Sequence, residues 1–135
     1  MIVFYEDREK GILKKGLFDQ EAKRQAEAIR GELKSSQFRN YFAELRALEA
    51  RFQRERRQEE ALAFRRLVPQ LELLKAKLHY NTRPQGPLKD ARNFVDFMER
   101  LIDTAKGGPK EFEAAMLYLE AGLAYFYALE RREGR

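Results

Sequence analysis

The sequence has no cysteine, one histidine, four prolines and eight glycines among its 135 residues. Without cysteine there are no disulfides, no thiolate zinc sites and no cysteine nucleophile, which fits a reducing cytoplasm. The lone histidine, His79, leaves no His-x-x-x-His or Glu-x-x-His spacing on which to build a metal centre, so neither a metal nor another cofactor is expected. Set between Leu78 and Tyr80, it reads as a helix-end packing residue. Scarce glycine and proline, with 44% hydrophobic and 36% charged residues, exclude collagen-like, low-complexity and wholly disordered chains. No apolar run approaches membrane-spanning length. The opening Met1-Ile2-Val3-Phe4-Tyr5 is too short for a secretion signal and lacks its basic flank, so a cytoplasmic protein with no membrane partner is expected. Also missing are a Gly-x-Ser-x-Gly elbow, a phosphate-cradling glycine loop and a nucleotide-binding signature. Acidic pairs such as Glu59-Glu60 and Glu111/Glu113 sit among basic neighbours and read as salt-bridged helix faces, so the chain is not expected to be an enzyme.

What the sequence has in excess is positive charge in one place. The formal net charge is +5. Residues 1–33 carry seven charges of each sign, residues 34–92 carry 14 basic against 7 acidic, and residues 93–135 carry 6 against 8. An excess confined to the middle suggests a surface for a polyanion, the alternative being a solvated basic face.

Hydrophobic periodicity predicts an all-α, single-domain, compact helical bundle of about five helices over residues 19–135, preceded by a partly mobile N-terminal arm over residues 1–18. Asp19 is expected to cap a short helix from Gln20 to Leu33. Ser35 or Ser36 should cap a second, carrying Phe38, Tyr41, Phe42, Leu45, Leu48 and Phe52 and ending near Arg57. Leu62, Leu67, Leu71, Leu74 and Leu78 mark a third, in which Pro69 predicts a break near residues 66–69 because proline removes a hydrogen bond and crowds the preceding turn. Asn81-Thr82-Arg83-Pro84-Gln85-Gly86-Pro87 is the clearest loop. Pro87 and Pro109 suit the first positions of the last two helices. The core is expected to gather Phe38, Phe42, Leu45, Leu71, Leu74, Phe94, Met98, Phe112, Met116 and Leu119. The last helix is apolar on more than one face through Tyr118, Leu123, Tyr125 and Tyr127, so it is either central or covered by another chain, and some of these residues are expected to meet a partner.

Two clusters place basic residues beside aromatics at helix ends. Ser35-Ser36-Gln37-Phe38-Arg39-Asn40 offers hydroxyls, a guanidinium and free helix-start amides to one anionic group. Lys75-Ala76-Lys77-Leu78-His79-Tyr80-Asn81-Thr82-Arg83 is the second. Candidate contacts to a polyanion, which the family resemblance below makes RNA, are Arg39, Lys75, Lys77 and Arg83, with Arg46 added because it lies seven residues from Arg39 on the same helix face. Lys75 and Lys77 differ by about 200° around a helix, so one is expected to brace a neighbour while the other faces outward.

The order of these parts resembles the small subunit of type III-A CRISPR effector complexes, the Csm small-subunit family, over residues 34–127. Ser35-Ser36-Gln37-Phe38-Arg39 matches the family's Thr-Ser-Gln-hydrophobic-Arg signature with serine for threonine. Leu74, Lys77, Leu78 and Tyr80 match its Leu-x-x-Lys-Leu-x-Tyr-x-x-x-Arg, while Arg83 lies one place short of that arginine and Thr82 with Pro84 replaces the usual Ala-Gly-Arg turn. A Phe-Val helix and Leu-Glu-Ala-Gly-Leu-Ala-Tyr-Phe-Tyr follow in order. The resemblance implies a non-catalytic helical bundle acting in antiviral defence. Its partners would be guide RNA and target RNA, further copies of itself, and the backbone and large subunits. RNA cleavage would belong to the backbone subunit, and cyclic oligoadenylate synthesis and DNA cleavage to the large one. In such guide-directed systems base pairing reads sequence and protein reads backbone, which asks for Lys and Arg without a base-reading helix. The competing readings are a free-standing helical DNA-binding regulator and a protein-binding helical adaptor. The first needs an exposed recognition helix, whereas the helix opening at Ser35 spends Phe38, Phe42 and Phe52 on packing.

Overall fold

A computed structural model describes residues 1–133, and the side chains of residues 1–130. A small antiparallel hairpin, β1 (Tyr5–Asp7) and β2 (Ile12–Leu13), is followed by a π-helical turn (Leu17–Glu21) and five helices. These are α1 (Ala22–Ile29), α2 (Ser35–Glu55), α3 (Glu60–Tyr80), α4 (Arg92–Ala105) and α5 (Pro109–Glu133). The predicted all-α bundle is present.

α5 is the central element, packed by α1, α2, α4 and the π-helical turn, while α3 lies against α2 and α4. Its breadth of apolar surface follows from this position. Tyr118 and Leu123, expected to need a partner, are buried within the chain; Tyr118 packs on Phe97 of α4 at 5.9 Å and on Phe4 at 5.7 Å between ring centroids. Tyr125 is half-buried and donates to Asp19 at 3.2 Å, Tyr127 is half-buried, and Leu117 remains 47% exposed. Phe38, fully buried, joins three helices, with Phe94 of α4 at 5.1 Å and Phe126 of α5 at 5.3 Å. A second knot sets Phe52 edge-on to Phe112 at 5.8 Å and to Phe64 at 6.0 Å. Of the expected core, Phe42 alone is only half-buried, with the Arg46 guanidinium over its ring at 4.8 Å.

Several boundaries differ from expectation for local reasons. The hairpin is too short to show an alternating pattern, and it anchors the arm: Ile2 donates to Thr104 Oγ1 at 3.0 Å, Tyr5 to the Lys110 carbonyl at 2.8 Å, and Arg8 forks onto Glu111 at 2.6 and 3.0 Å. Asp19 lies inside the π-helical turn and caps nothing; α1 stops at Ile29, where Gly31 takes a φ of 81° that only glycine adopts without strain. α3 runs unbroken through Pro69. That residue and Arg65, whose carbonyl loses its intrahelical donor, both lie on the exposed face, where water can supply the missing bond. Pro87 belongs to the loop, and α4 begins five residues later at Arg92.

The starts of α2 and α4 are both served from a distance. Lys34, not a serine, is the N-cap residue of α2, and the Ser35 amide donates to Glu130 of α5 at 3.1 Å. The carboxylate of Glu32 accepts the Phe94 amide at 2.8 Å and the Asn93 amide at 3.3 Å. Negative charge at a helix start meets unpaired amides and the positive end of the dipole, so each glutamate replaces a local cap.

Candidate nucleic-acid interface

The two sequence clusters converge on one groove. Gln37, Asn40, Tyr41 and Glu44 recur at a spacing that lines one face of α2, and Lys77, Tyr80, Asn81, Pro87 and Leu88 close the other side. The cavity between them measures about 650 Å3. Its floor is fixed by Asn81 Nδ2, which donates to the Tyr41 hydroxyl at 2.5 Å and ties α2 to the end of α3. Burial pushes the Tyr41 hydroxyl above its ordinary pKa, so it stays protonated at neutral pH.

The loop after α3 folds back to form the groove's end wall. The Leu88 amide donates to the Asn81 carbonyl at 2.9 Å and the Gly86 amide to the Arg83 carbonyl at 2.8 Å. A Cβ at position 86 would stand 2.4 Å from the Asn81 carbonyl oxygen and 2.9 Å from that of Arg83, so this close return needs glycine. Arg83 lies against Tyr80, its guanidinium 3.9 Å from the ring centroid and donating to the Tyr80 carbonyl at 3.0 Å. Tyr80 is nonetheless 65% exposed.

The five candidate cations separate. Lys77 lines the groove and reaches Glu44 at 3.2 Å; Arg83 stands at the rim. Lys75 turns away and donates to Asp103 of α4 at 2.9 Å, a bond that raises its pKa. Arg46 faces α5, bonding Glu49 at 2.6 Å and Glu120 at 2.8 Å, the Glu49 bond leading the rise in its pKa. Arg39 is exposed and makes no ion pair with another described side chain. Three of the helix-start amides expected to be free beside it are occupied: Ser35 N–H by Glu130, and those of Gln37 and Phe38 by the Lys34 carbonyl.

Lys75 belongs to a ladder joining antiparallel α3 and α4, with Glu72–Lys106 at 3.0 Å, Lys75–Asp103 at 2.9 Å and His79–Glu99 as its rungs. His79 is therefore largely exposed, with its ring nitrogen against the Glu99 carboxylate, and is not a packing residue. Among the described residues no cluster of three metal-ligating side chains occurs.

Sequence reasoning quoted Gln37 and Asn40 without selecting them. Their amide groups make no hydrogen bond with another described residue, and the 37/40/41/44 spacing was the available signal. It also passed over Arg54, Arg57, Arg65 and Arg66, all without a carboxylate partner among the described residues, at the α2–α3 turn; Arg54 and Arg66 line a second cavity there of about 490 Å3.

A family model described as Csm2 Type III-A matches residues 13–131. The chain belongs to the Csm2 type III-A family. The match takes in α1 to α4 and all but the last two residues of α5 and leaves β1 and the start of β2 outside it, so both groove-forming clusters lie within the Csm2-like part. No match was found among curated proteins or among solved structures. Family membership makes this chain a small subunit of type III-A CRISPR complexes, and among the described residues no helix is long and apolar enough to cross a membrane.

Proposed function

We propose that the chain is a non-catalytic, RNA-binding small subunit that contacts the guide and target RNA backbone, neighbouring copies of itself and the backbone and large subunits, in the cytoplasm and in antiviral defence. The observation that carries this reading is the convergence of both motif clusters on one groove with Lys77 inside it and Arg83 at its rim. The basic excess of residues 34–92 supports it, because neutralising phosphates releases counterions whatever the base sequence.

Arg39 and Arg83 carry the proposal first, since neither is held by a described carboxylate, and Lys77 follows, because its single exposed partner Glu44 can be exchanged for a phosphate at little cost. Lys75, held by Asp103, and Arg46, held by Glu49 and Glu120, are the weaker candidates. The test uses the assembled complex and its target RNA. Replacing Arg39, Lys75, Lys77 and Arg83 together by Ala should weaken binding about equally for any sequence and flatten the salt dependence by roughly 0.7 to 0.9 log units per lost phosphate contact. Normal assembly with unchanged affinity and unchanged slope would leave the basic middle as a solvated face and refute the assignment.

A further inference from the structure

The groove is built differently from a phosphate site. Its one cation, Lys77, is matched by Glu44 at 3.2 Å, so the lining as a whole is close to neutral: a backbone phosphate can take Lys77 from Glu44, but the lining offers no second cation. The remaining lining is that of a site for a flat, neutral, polar group. Gln37 and Asn40 each present an acceptor and two donors with no partner among the described residues. Tyr80 supplies an exposed ring with the Arg83 guanidinium stacked on it, and Pro87 and Leu88 add apolar edges. Cations for a flanking backbone stand outside the lining: Arg83 at the rim, and Arg39, one residue before Asn40.

We propose that this groove receives a single unstacked RNA base, stacked on the Tyr80–Arg83 pair and hydrogen-bonded at its edge by Gln37 and Asn40. Single-stranded RNA is recognised in this way, with bases splayed onto aromatic rings or guanidinium planes and read by amide groups. Neutral amides and a ring give an uncharged base what it needs, and the outer cations hold the phosphates on either side. The proposal rests on the RNA-binding reading above and gives the groove a role that backbone contact alone leaves empty.

The test measures binding of the full chain to a 12-nucleotide single-stranded RNA by fluorescence anisotropy across a salt series, against the same RNA carrying abasic sites. Tyr80→Ala should weaken binding to the normal RNA by about 5- to 150-fold, and Tyr80→Phe should restore most of it, because stacking needs the ring and not the hydroxyl. The abasic RNA should bind the unaltered chain about as weakly as normal RNA binds Tyr80→Ala, with the same salt slope. Tyr80 is largely exposed, so an unchanged thermal midpoint for Tyr80→Ala confirms an intact fold. Equal binding of normal and abasic RNA with a preserved salt slope would overturn the base site and leave backbone contact standing. Absence of salt-sensitive binding to either RNA would overturn both. Adenosine monophosphate binding as tightly as the RNA would make the groove a free-nucleotide site, and a Tyr80→Ala defect confined to assembly with other subunits would make it a protein contact; either result rejects the proposal.

Discussion

Truncating Phe38 to Ala is the sharpest test of how the bundle is held together. The side chain is fully buried and its ring bridges Phe94 and Phe126, so one residue of α2 touches both α4 and α5. Removing a buried phenylalanine ring costs about 3 to 5 kcal/mol through lost transfer energy and the cavity left behind. Each tilted aromatic pair adds roughly 0.5 to 1.5 kcal/mol beyond area, which places Phe38→Ala toward the upper end of that range. Against a typical domain stability of about 5 to 15 kcal/mol this is a large fraction, and the thermal midpoint should fall by about 10 to 20 °C. Phe42, one turn further on, supplies the control. Half-buried and covered on one side by the Arg46 guanidinium, it should cost only about 1 kcal/mol when replaced by Ala. Urea unfolding followed by circular dichroism measures both, with an unchanged m-value showing that only stability moved. A cost for Phe38→Ala below about 1.5 kcal/mol, or equal costs for the two variants, would refute the assignment of Phe38 as the junction of three helices.

Gly86→Ala forces a Cβ against two carbonyl oxygens and should cost about 1 to 3 kcal/mol in denaturant unfolding; a neutral result would mean the 81–91 loop does not close as described. Glu32→Ala removes the acceptor for two amides at the start of α4 and should cost about 1 kcal/mol, read by the same method and by faster exchange of the Asn93 and Phe94 amides. The Arg8 guanidinium, bonded to both oxygens of Glu111, holds that carboxyl below its ordinary pKa, so the folded state binds its proton less readily than the unfolded chain does. The resulting stability is complete above the unfolded value of about 4.3 and is lost as pH falls through the lowered one. Arg8→Met should therefore show a shallower loss of stability in acid, and identical acid limbs for the two proteins would count against the clamp.

Periodicity reads well where an element buries one face against its own neighbours, and less well where a distant residue decides. The apolar spacings of α2 and α3 locate both helices, and Pro109 opens α5 as its fixed φ suggests. The starts of α2 and α4 are misread because their caps are Glu130 and Glu32, which contribute from other elements and leave no local signature. Pro69 is misread for the opposite reason: the cost of a helical proline depends on whether the freed carbonyl meets protein or water, and burial is not written in the local sequence. At the groove, the motifs supply its residues but not its closure. The return of the chain onto Asn81 is set by one glycine in a loop, and only the fold shows that Lys77 and Lys75 serve different helices.

The net charge of the middle segment overstates what a polyanion would meet there, because much of it is spent internally. Arg46, Arg51, Arg56, Lys75 and Lys77 each bond a carboxylate: Arg46 and Arg56 reach α5, Lys75 reaches α4, Lys77 ties α3 to α2, and Arg51 is paired within α2. The cations without such a partner among the described residues collect at the two ends. Lys34, Arg39, Arg83, Lys89 and Arg92 surround the start of α2 and the loop that leads to α4, whereas Arg54, Arg57, Arg65 and Arg66 surround the α2–α3 turn. Arg39 and Arg54 are fifteen residues apart on α2, or about 22 Å at 1.5 Å per residue. That distance exceeds a Debye length of about 8 Å at physiological salt, so the two ends act on an anion as separate sites and not as one field. Only the first of them adjoins the groove, where the Tyr80 ring is exposed and the Gln37 and Asn40 amides have no partner among the described residues, so the proposed base site draws its flanking cations from that end.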